Sequence, residues 1–279
     1  MGKDRQGVPA VAEYSGRKES KIIMSIIYHL PLKGKVAAIT GATRGIGFEM
    51  ALEFARRGAA VLLCSRDIKS AGDAAKKVGK NAHPFSLDIS SPASVRAFVK
   101  DAVAGHGRID VLVNNAGYPF DKKTWYKEMH EVTDEEFDRI LDVDLKGTFR
   151  LTRAVLPVMV RKKSGVIISI SSTPAIAGHV EGAPYTLAKA GIIAMTKHVA
   201  LEYGNRGIRA YSLALGNIAT NATFDSMDEK ARRQAAQENA MKRWGKPGEV
   251  ARVAASLAGE DFSFATGNTI VIDGGAVLL

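Results

Sequence analysis

The chain has 279 residues and a single cysteine, which excludes an internal disulfide and fits a reducing compartment. That residue, Cys64, lies in the apolar run 61–64 and reads as a buried strand position, not a nucleophile. No stretch reaches the roughly 18 apolar residues of a membrane-spanning helix. The net charge is +10, yet basic and acidic residues are interspersed and neither sign forms a long run. With no readable nucleic-acid motif, such a basic surface suits a protein that takes phosphorylated small molecules. Internal repeats and low-complexity linkers are also missing. What is present is 46% hydrophobic residues, enough to bury a real core in one domain. Residues 1–31 differ from the rest and read as an N-terminal extension. It places Lys3, Arg5, Arg17, Lys18 and Lys21 ahead of the apolar segment 22–27, with no small-residue cleavage site. Its isoleucines would tether it to the surface, and Met24 offers an alternative start of translation.

From residue 32 onward, short apolar runs alternate with longer helical patterns. The runs predict strands at 36–39, 60–65, 82–87, 111–113, 166–171, 209–215 and 269–272. Helices are predicted at 46–57, 67–79, 92–105, 134–145, 148–161 and 184–204. Strands that are apolar along their whole length, separated by helices, argue for a parallel sheet covered on both faces. The expectation is an α/β chain with one doubly wound domain over 32–279, built on a central, mostly parallel seven-stranded sheet.

Two motifs carry chemistry. The first follows the first strand and reads Thr40-Gly41-Ala42-Thr43-Arg44-Gly45-Ile46-Gly47. Glycines at a strand-to-helix junction let the backbone approach a pyrophosphate, and the helix N-terminus offers N–H donors to it. The second is Tyr185 and Lys189, one helical turn apart just after Pro184, so that both side chains share a face. A phenol is a poor acid–base catalyst near neutrality, and an adjacent ammonium favours its ionised form. The pair is suited to moving a proton on or off an alcohol oxygen.

With these residues on the page, the sequence from about Leu32 to the C-terminus resembles the short-chain dehydrogenase/reductase family. Further matches are Asn114-Asn115-Ala116-Gly117 after the fourth strand, Ser172 at the family's catalytic spacing before Tyr185, and Asp273-Gly274-Gly275 after the last strand. The resemblance implies a Rossmann domain and a nicotinamide cofactor. Cofactor contacts would come from Gly41, Thr43, Arg44, Gly45, Ile46 and Gly47, from Ser65 and Arg66, from Asp88 and Ile89, and from Asn115, Ala116 and Gly117. Tyr185, Lys189, Gly216, Ile218 and Thr220 would complete the set. Where NAD-preferring relatives carry a carboxylate this chain has Ser65, followed by Arg66, and Arg44 sits in the glycine-rich turn, so NADP(H) is expected over NAD(H). The alternative is that both arginines are solvated surface residues. Asp67 comes two positions too late to replace that carboxylate, and Asp88 matches the adenine-contacting aspartate.

By the same resemblance, Tyr185 is the general acid in reduction, Lys189 lowers its pKa and binds the nicotinamide ribose, and Ser172 polarises the substrate oxygen. Three departures accompany the match. Asp144 stands where the family has Asn; it would hold the relay water as an acceptor, offset the Lys189 charge, or both. Leu215-Gly216 replaces the usual Pro-Gly. The stretch 117–144 is several residues longer than in the acyl-carrier-protein reductases. Its Tyr118, Phe120, Trp125, Tyr126 and His130 either wall the substrate pocket or pack on themselves, and His179 either faces substrate or lies exposed in its loop.

The expected function is NADPH-dependent reduction of a carbonyl to an alcohol, in the manner of 3-oxoacyl-thioester reductases. A sugar or polyol dehydrogenase is the alternative within the family, and a nucleotide-binding regulatory protein without turnover is the alternative of another class. The catalytic residues are expected to be Ser172, Tyr185, Lys189 and Asp144. The protein is expected to be a cytoplasmic homotetramer that takes a small-molecule carbonyl or alcohol, with no metal, nucleic acid or membrane among its partners.

Overall fold

The computed structural model describes residues 31–225 and 227–278. The expected extension over 1–31, including Met24, lies outside the described residues except for Pro31. Seven parallel strands form one sheet: β1 Val36–Thr40, β2 Ala60–Ser65, β3 Ala82–Ser86, β4 Val111–Asn114, β5 Gly165–Ser172, β6 Ile208–Leu215 and β7 Thr269–Ile272. Their order is β3-β2-β1-β4-β5-β6-β7, so the chain reverses direction across the sheet between β1 and β4. In open α/β sheets such a switch point leaves a crevice beyond the carboxyl ends of the strands.

Alternation along each strand divides the core in two. On one face Ala37 and Ile39 of β1, Val61 and Leu63 of β2, and Leu213 and Leu215 of β6 pack with α1 (Gly45–Arg56) and α2 (Ile68–Val78). The C-terminal helix Pro247–Ala258 covers the rest of that face and packs on α1. On the other face Ala38, Leu62, Leu112 and Ile167 meet α3 (Pro92–His106) and the helices Thr148–Lys162 and Ala183–Tyr203. Every residue of β1, β4 and β5 is buried, which is why these strands read as mainly apolar runs. Cys64 points into the second core; its Sγ donates to the Leu62 carbonyl at 3.4 Å, and burial pushes the thiol's pKa up.

Helix starts follow local chemistry. Asp67 caps α2, accepting from the N–H groups of Lys69 and Ser70, both at 3.1 Å. Ser91 caps α3 ahead of Pro92. Thr133 and Glu136 form a capping box at α4 (Asp134–Leu141). α1 differs, because its N-cap Arg44 makes no side-chain cap bond. After α4 the helix widens into a π turn, Asp142–Gly147, before α5 (Thr148–Lys162). α6 is Ala183–Tyr203, α7 Glu229–Gln237 and α8 Pro247–Ala258. The sequence reading contained neither α7 nor α8, nor the short helical turns Lys122–Trp125 and Pro174–Ala177.

Candidate active site

The carboxyl ends of β1 and β4 are stitched together through Thr40. Its hydroxyl accepts from the N–H groups of Asn115 and Ala116, each at 2.9 Å, and donates to the Val113 carbonyl at 3.3 Å. The Asn115 amide donates in turn to the Thr40 and Gly41 carbonyls, at 2.9 and 3.3 Å. Gly41 and Gly45 have φ of +62° and +55°, the left-handed region that favours glycine. Gly47 is required for space, since a Cβ there would run into the Gly41 carbonyl and lie 2.5 Å from Asn115 Nδ2. The result is a glycine cradle over the first turn of α1, whose N–H groups no side chain caps. This fits a pyrophosphate on charge and on space.

The other expected cofactor residues ring the same crevice. Arg44 is exposed beside the cradle, Ser65 ends β2 and Arg66 is the next, exposed residue. Both Asp67 carboxylate oxygens are engaged in capping α2. Asp88 accepts from the Ser90 N–H at 2.9 Å and its hydroxyl at 2.7 Å, which fixes the loop after β3. Ile89 is buried in the second core, against Gly147. On the far side, Thr220 reaches Gly45: a Cβ on that glycine would lie 3.6 Å from the threonine methyl. Gly216 packs on Asp273, and Ile218 forms an isolated bridge with Gly245.

Ser172, Tyr185, Lys189 and Asp144 come from β5, the first and second turns of α6, and the π turn. Ser172 closes β5, and its hydroxyl donates to the Leu215 carbonyl at 3.3 Å. Ser171 donates to the Lys189 carbonyl at 2.9 Å, fastening α6 to the strand end. Lys189 Nζ lies 3.1 Å from Asp144 Oδ2, 3.3 Å from the Ile170 carbonyl and 5.4 Å from the Tyr185 ring centroid. The Lys189 and Asp144 side chains are only 7% and 2% exposed. Burial, the largest single influence, pushes the Lys189 pKa down. The Asp144 carboxylate, the Tyr185 oxygen and the hydrogen bond to Asp144 together outweigh it, so the pKa is raised.

Asp144 is therefore in direct contact with Lys189. Its second oxygen accepts the Tyr118 N–H, a partner that sequence reasoning missed. It also leaves little room at Gly117, where a Cβ would lie 3.2 Å from Oδ1. The π turn aims this carboxylate inward, and Leu145 beside it seats on Gly191 of α6, where a Cβ would be 2.7 Å from Leu145 Cδ2.

Of the aromatics in the long stretch after Gly117, Tyr118 meets the site through its N–H, Trp125 meets Tyr185 by its ring, and Phe120 packs on Trp125. The Trp125 ring lies 5.5 Å from Tyr185, 5.4 Å from Phe120 and 5.6 Å from His179, centroid to centroid. Tyr126 is exposed, and exposed His130 pairs with Glu128 at 3.5 Å. Among the described residues no group of His, Cys, Asp and Glu is placed to hold a metal ion, and no helix is long and apolar enough to cross a membrane.

Comparison with known proteins matches the geometry. A family model described as enoyl-(acyl carrier protein) reductase covers residues 41–277. The 3-oxoacyl-[acyl-carrier-protein] reductase FabG of Thermotoga maritima is 38% identical over 250 residues, spanning 88% of this chain and 99% of the relative. Oxidoreductase UcpA of Escherichia coli is 36% identical over 265 residues, covering 88% and 96%. The crystal structure of gox2181 superposes with a TM-score of 0.83 at 30% identity, covering 90% of this chain and 98% of that one.

Proposed function

From a chain that belongs to the short-chain dehydrogenase/reductase family, and is thus a nicotinamide-dependent oxidoreductase of carbonyl and alcohol groups, we propose an NADPH-dependent reductase of a 3-oxoacyl-thioester-like substrate. The observation that carries the catalytic half of this reading is Lys189. It is buried, kept charged by Asp144, and set against the ring of Tyr185.

The cofactor fits the glycine cradle, with Gly41, Gly45 and Gly47 leaving space for the pyrophosphate and the uncapped α1 N-terminus facing it. Arg44 and Arg66 would hold the 2′-phosphate, and Ser65 puts no carboxylate in its way. The engagement of Asp67 in capping supports this assignment. When bound, the reduced nicotinamide supplies the hydride. In the reductive direction the Ser172 hydroxyl turns its one proton from the Leu215 carbonyl to the substrate carbonyl oxygen and polarises it. Tyr185 then gives its hydroxyl proton to that oxygen as the carbonyl carbon becomes an alcohol carbon. The ammonium of Lys189 stabilises the phenolate left behind. The relatives named 3-oxoacyl-[acyl-carrier-protein] reductases support the substrate class. Buried Cys64, at home in a reducing compartment, is consistent with a cytoplasmic enzyme.

The test is Tyr185→Phe, which keeps the ring and removes the proton donor. Reduction of acetoacetyl-coenzyme A with NADPH should fall by roughly 10²–10⁴-fold while NADPH still binds by fluorescence titration. Near-wild-type turnover in this variant would refute the assignment.

A further inference from the structure

The catalytic tyrosine has a neighbour that the proton chemistry does not use. Trp125 presents its ring to Tyr185 in an edge-on arrangement at 5.5 Å, and Phe120 and His179 extend the same surface. The surface is held from behind. The Trp125 indole N–H donates to Glu181 Oε2 at 2.9 Å, and its carbonyl accepts the Gly182 N–H at 2.9 Å. Gly182 is the N-cap of α6 with φ +70°, and a Cβ on it would lie 2.6 Å from the Trp125 ring. The tryptophan therefore docks flat on the residue that starts the catalytic helix. Two of the cluster's ring nitrogens are turned inward on Glu181. The indole N–H is taken by Glu181, and His179 Nδ1 sits 3.2 Å from both the N–H and the carbonyl of Glu181. What faces outward is apolar surface: Phe120 is 50% exposed, and Val180 beside His179 is 96% exposed.

We propose that Trp125, with Phe120 and His179, forms an aromatic wall that sets specificity, favouring carbonyl compounds with an extended apolar or aryl group next to the carbonyl over polyhydroxylated ones. The physical reason is asymmetric. An apolar group gains contact with ring faces, whereas a polyol needs several unengaged donors and acceptors, and two of the wall's ring nitrogens are spent on Glu181. Gly182 fixes the wall's position relative to Tyr185, so the two residues act as one device. The inference rests on the oxidoreductase reading and narrows its substrate.

The experiment compares ethyl benzoylacetate, ethyl 3-oxohexanoate and ethyl acetoacetate in reduction, with sorbitol in oxidation, for wild type, Trp125→Ala and Gly182→Ala. Wild type should show kcat/KM rising with the apolar group, and sorbitol should be the poorest. Each variant should compress the benzoylacetate-to-acetoacetate preference by about tenfold, chiefly through KM. The two variants reach that result by different routes, one removing the ring and the other displacing it. A binding readout separates this idea from the catalytic one. The chain has two tryptophans, so Trp244→Phe leaves Trp125 as the sole indole reporter. Its fluorescence should change on adding ethyl benzoylacetate and not on adding sorbitol, whether or not turnover occurs. Fluorescence response without turnover of any of the four compounds would uphold the wall and sink the reductase reading. An unchanged preference in both variants, or equal responses to ester and polyol, would overturn the wall.

Discussion

Asp144→Asn tests the least ordinary contact in the site. In the wild type two opposite charges lie 3.1 Å apart with almost no solvent exposure. At an effective dielectric constant of about 20 their attraction is about 5 kcal/mol, and desolvation of both groups offsets much of it. Removing one partner of such a pair leaves an unpaired buried charge and costs about 3–5 kcal/mol. Asp144→Ala should show that loss in full, as a fall in Tm of roughly 10 °C. Asp144→Asn keeps one oxygen, which can accept from the Tyr118 N–H or from Lys189 but not from both, so a part of the loss remains, about 1–3 kcal/mol. The pH dependence has a definite sign. Because the Lys189 pKa is raised in the folded protein, its contribution is fully present below the unfolded value of about 10.4. It disappears as pH rises through the folded value. Without Asp144, burial lowers the Lys189 pKa in the variant, so the stability gap between wild type and Asp144→Asn should be widest at low pH and narrow as pH rises through the variant's lowered lysine pKa. Catalysis should move the other way. While Lys189 still carries its proton, its charge is no longer offset, the ammonium better stabilises negative charge on the Tyr185 oxygen, and the pH profile of alcohol oxidation should shift to lower pH. Turnover should stay within about tenfold of wild type. Thermal melts across a range of pH, with pH–rate profiles on one accepted alcohol, provide both readouts. Equal melting temperatures at pH 7 and an unmoved profile would refute the electrostatic role. A wild type without turnover, restored in Asp144→Asn, would support a regulatory protein instead.

Other consequences are simpler to measure. Arg66→Ala should weaken NADPH by about tenfold to a hundredfold while NADH changes little, since charge-assisted phosphate contacts contribute roughly 1.5–3 kcal/mol; equal losses for both cofactors would remove the 2′-phosphate role. Gly47→Ala should abolish binding of either cofactor, because the new methyl meets the Gly41 carbonyl and the Asn115 amide, and wild-type affinity in this variant would contradict the cradle. The chain should be a homotetramer with two-fold axes, as the apolar end of the chain, with Leu278 86% exposed, suggests; a monomer mass by light scattering at micromolar concentration would rule that out.

Most of the sheet was readable because β1, β2, β4 and β6 are buried along most of their length and mainly apolar. Each of the seven predicted strands matches an observed one within about two residues. The glycine turn and the Tyr185–Lys189 pair were equally visible, since both depend on spacing within one turn of chain. α8 carried a signal that was passed over: Pro247 in its first turn and Glu249 at the capping-box position. α7, with the sequence Glu-Lys-Ala-Arg-Arg-Gln-Ala-Ala-Gln, has only Ala235 buried and offers no apolar stripe to detect. Residues 142–145 read as the end of an ordinary helix and 146–147 as a break, because a π turn changes hydrogen-bond register without changing composition. The direct Asp144–Lys189 contact and the seating of Trp125 on Gly182 join residues far apart in sequence. No local pattern encodes them, although the clustered aromatics after Gly117 marked the right stretch.

The π turn has a bearing on how this site tolerates change in chain length. A helix advances about 100° per residue, so one residue gained or lost swings everything beyond it to a new face. The widened turn absorbs one such step between α4 and α5 while both helices stay packed. It sets the phase at which Asp144 meets Lys189 and Leu145 meets Gly191. Deleting a single residue within Asp142–Gly147 would restore a regular helix, and would do so by turning the carboxylate away from the lysine or by dragging α5 off the sheet. Residue count in this turn is thus as much a part of the active site as residue identity.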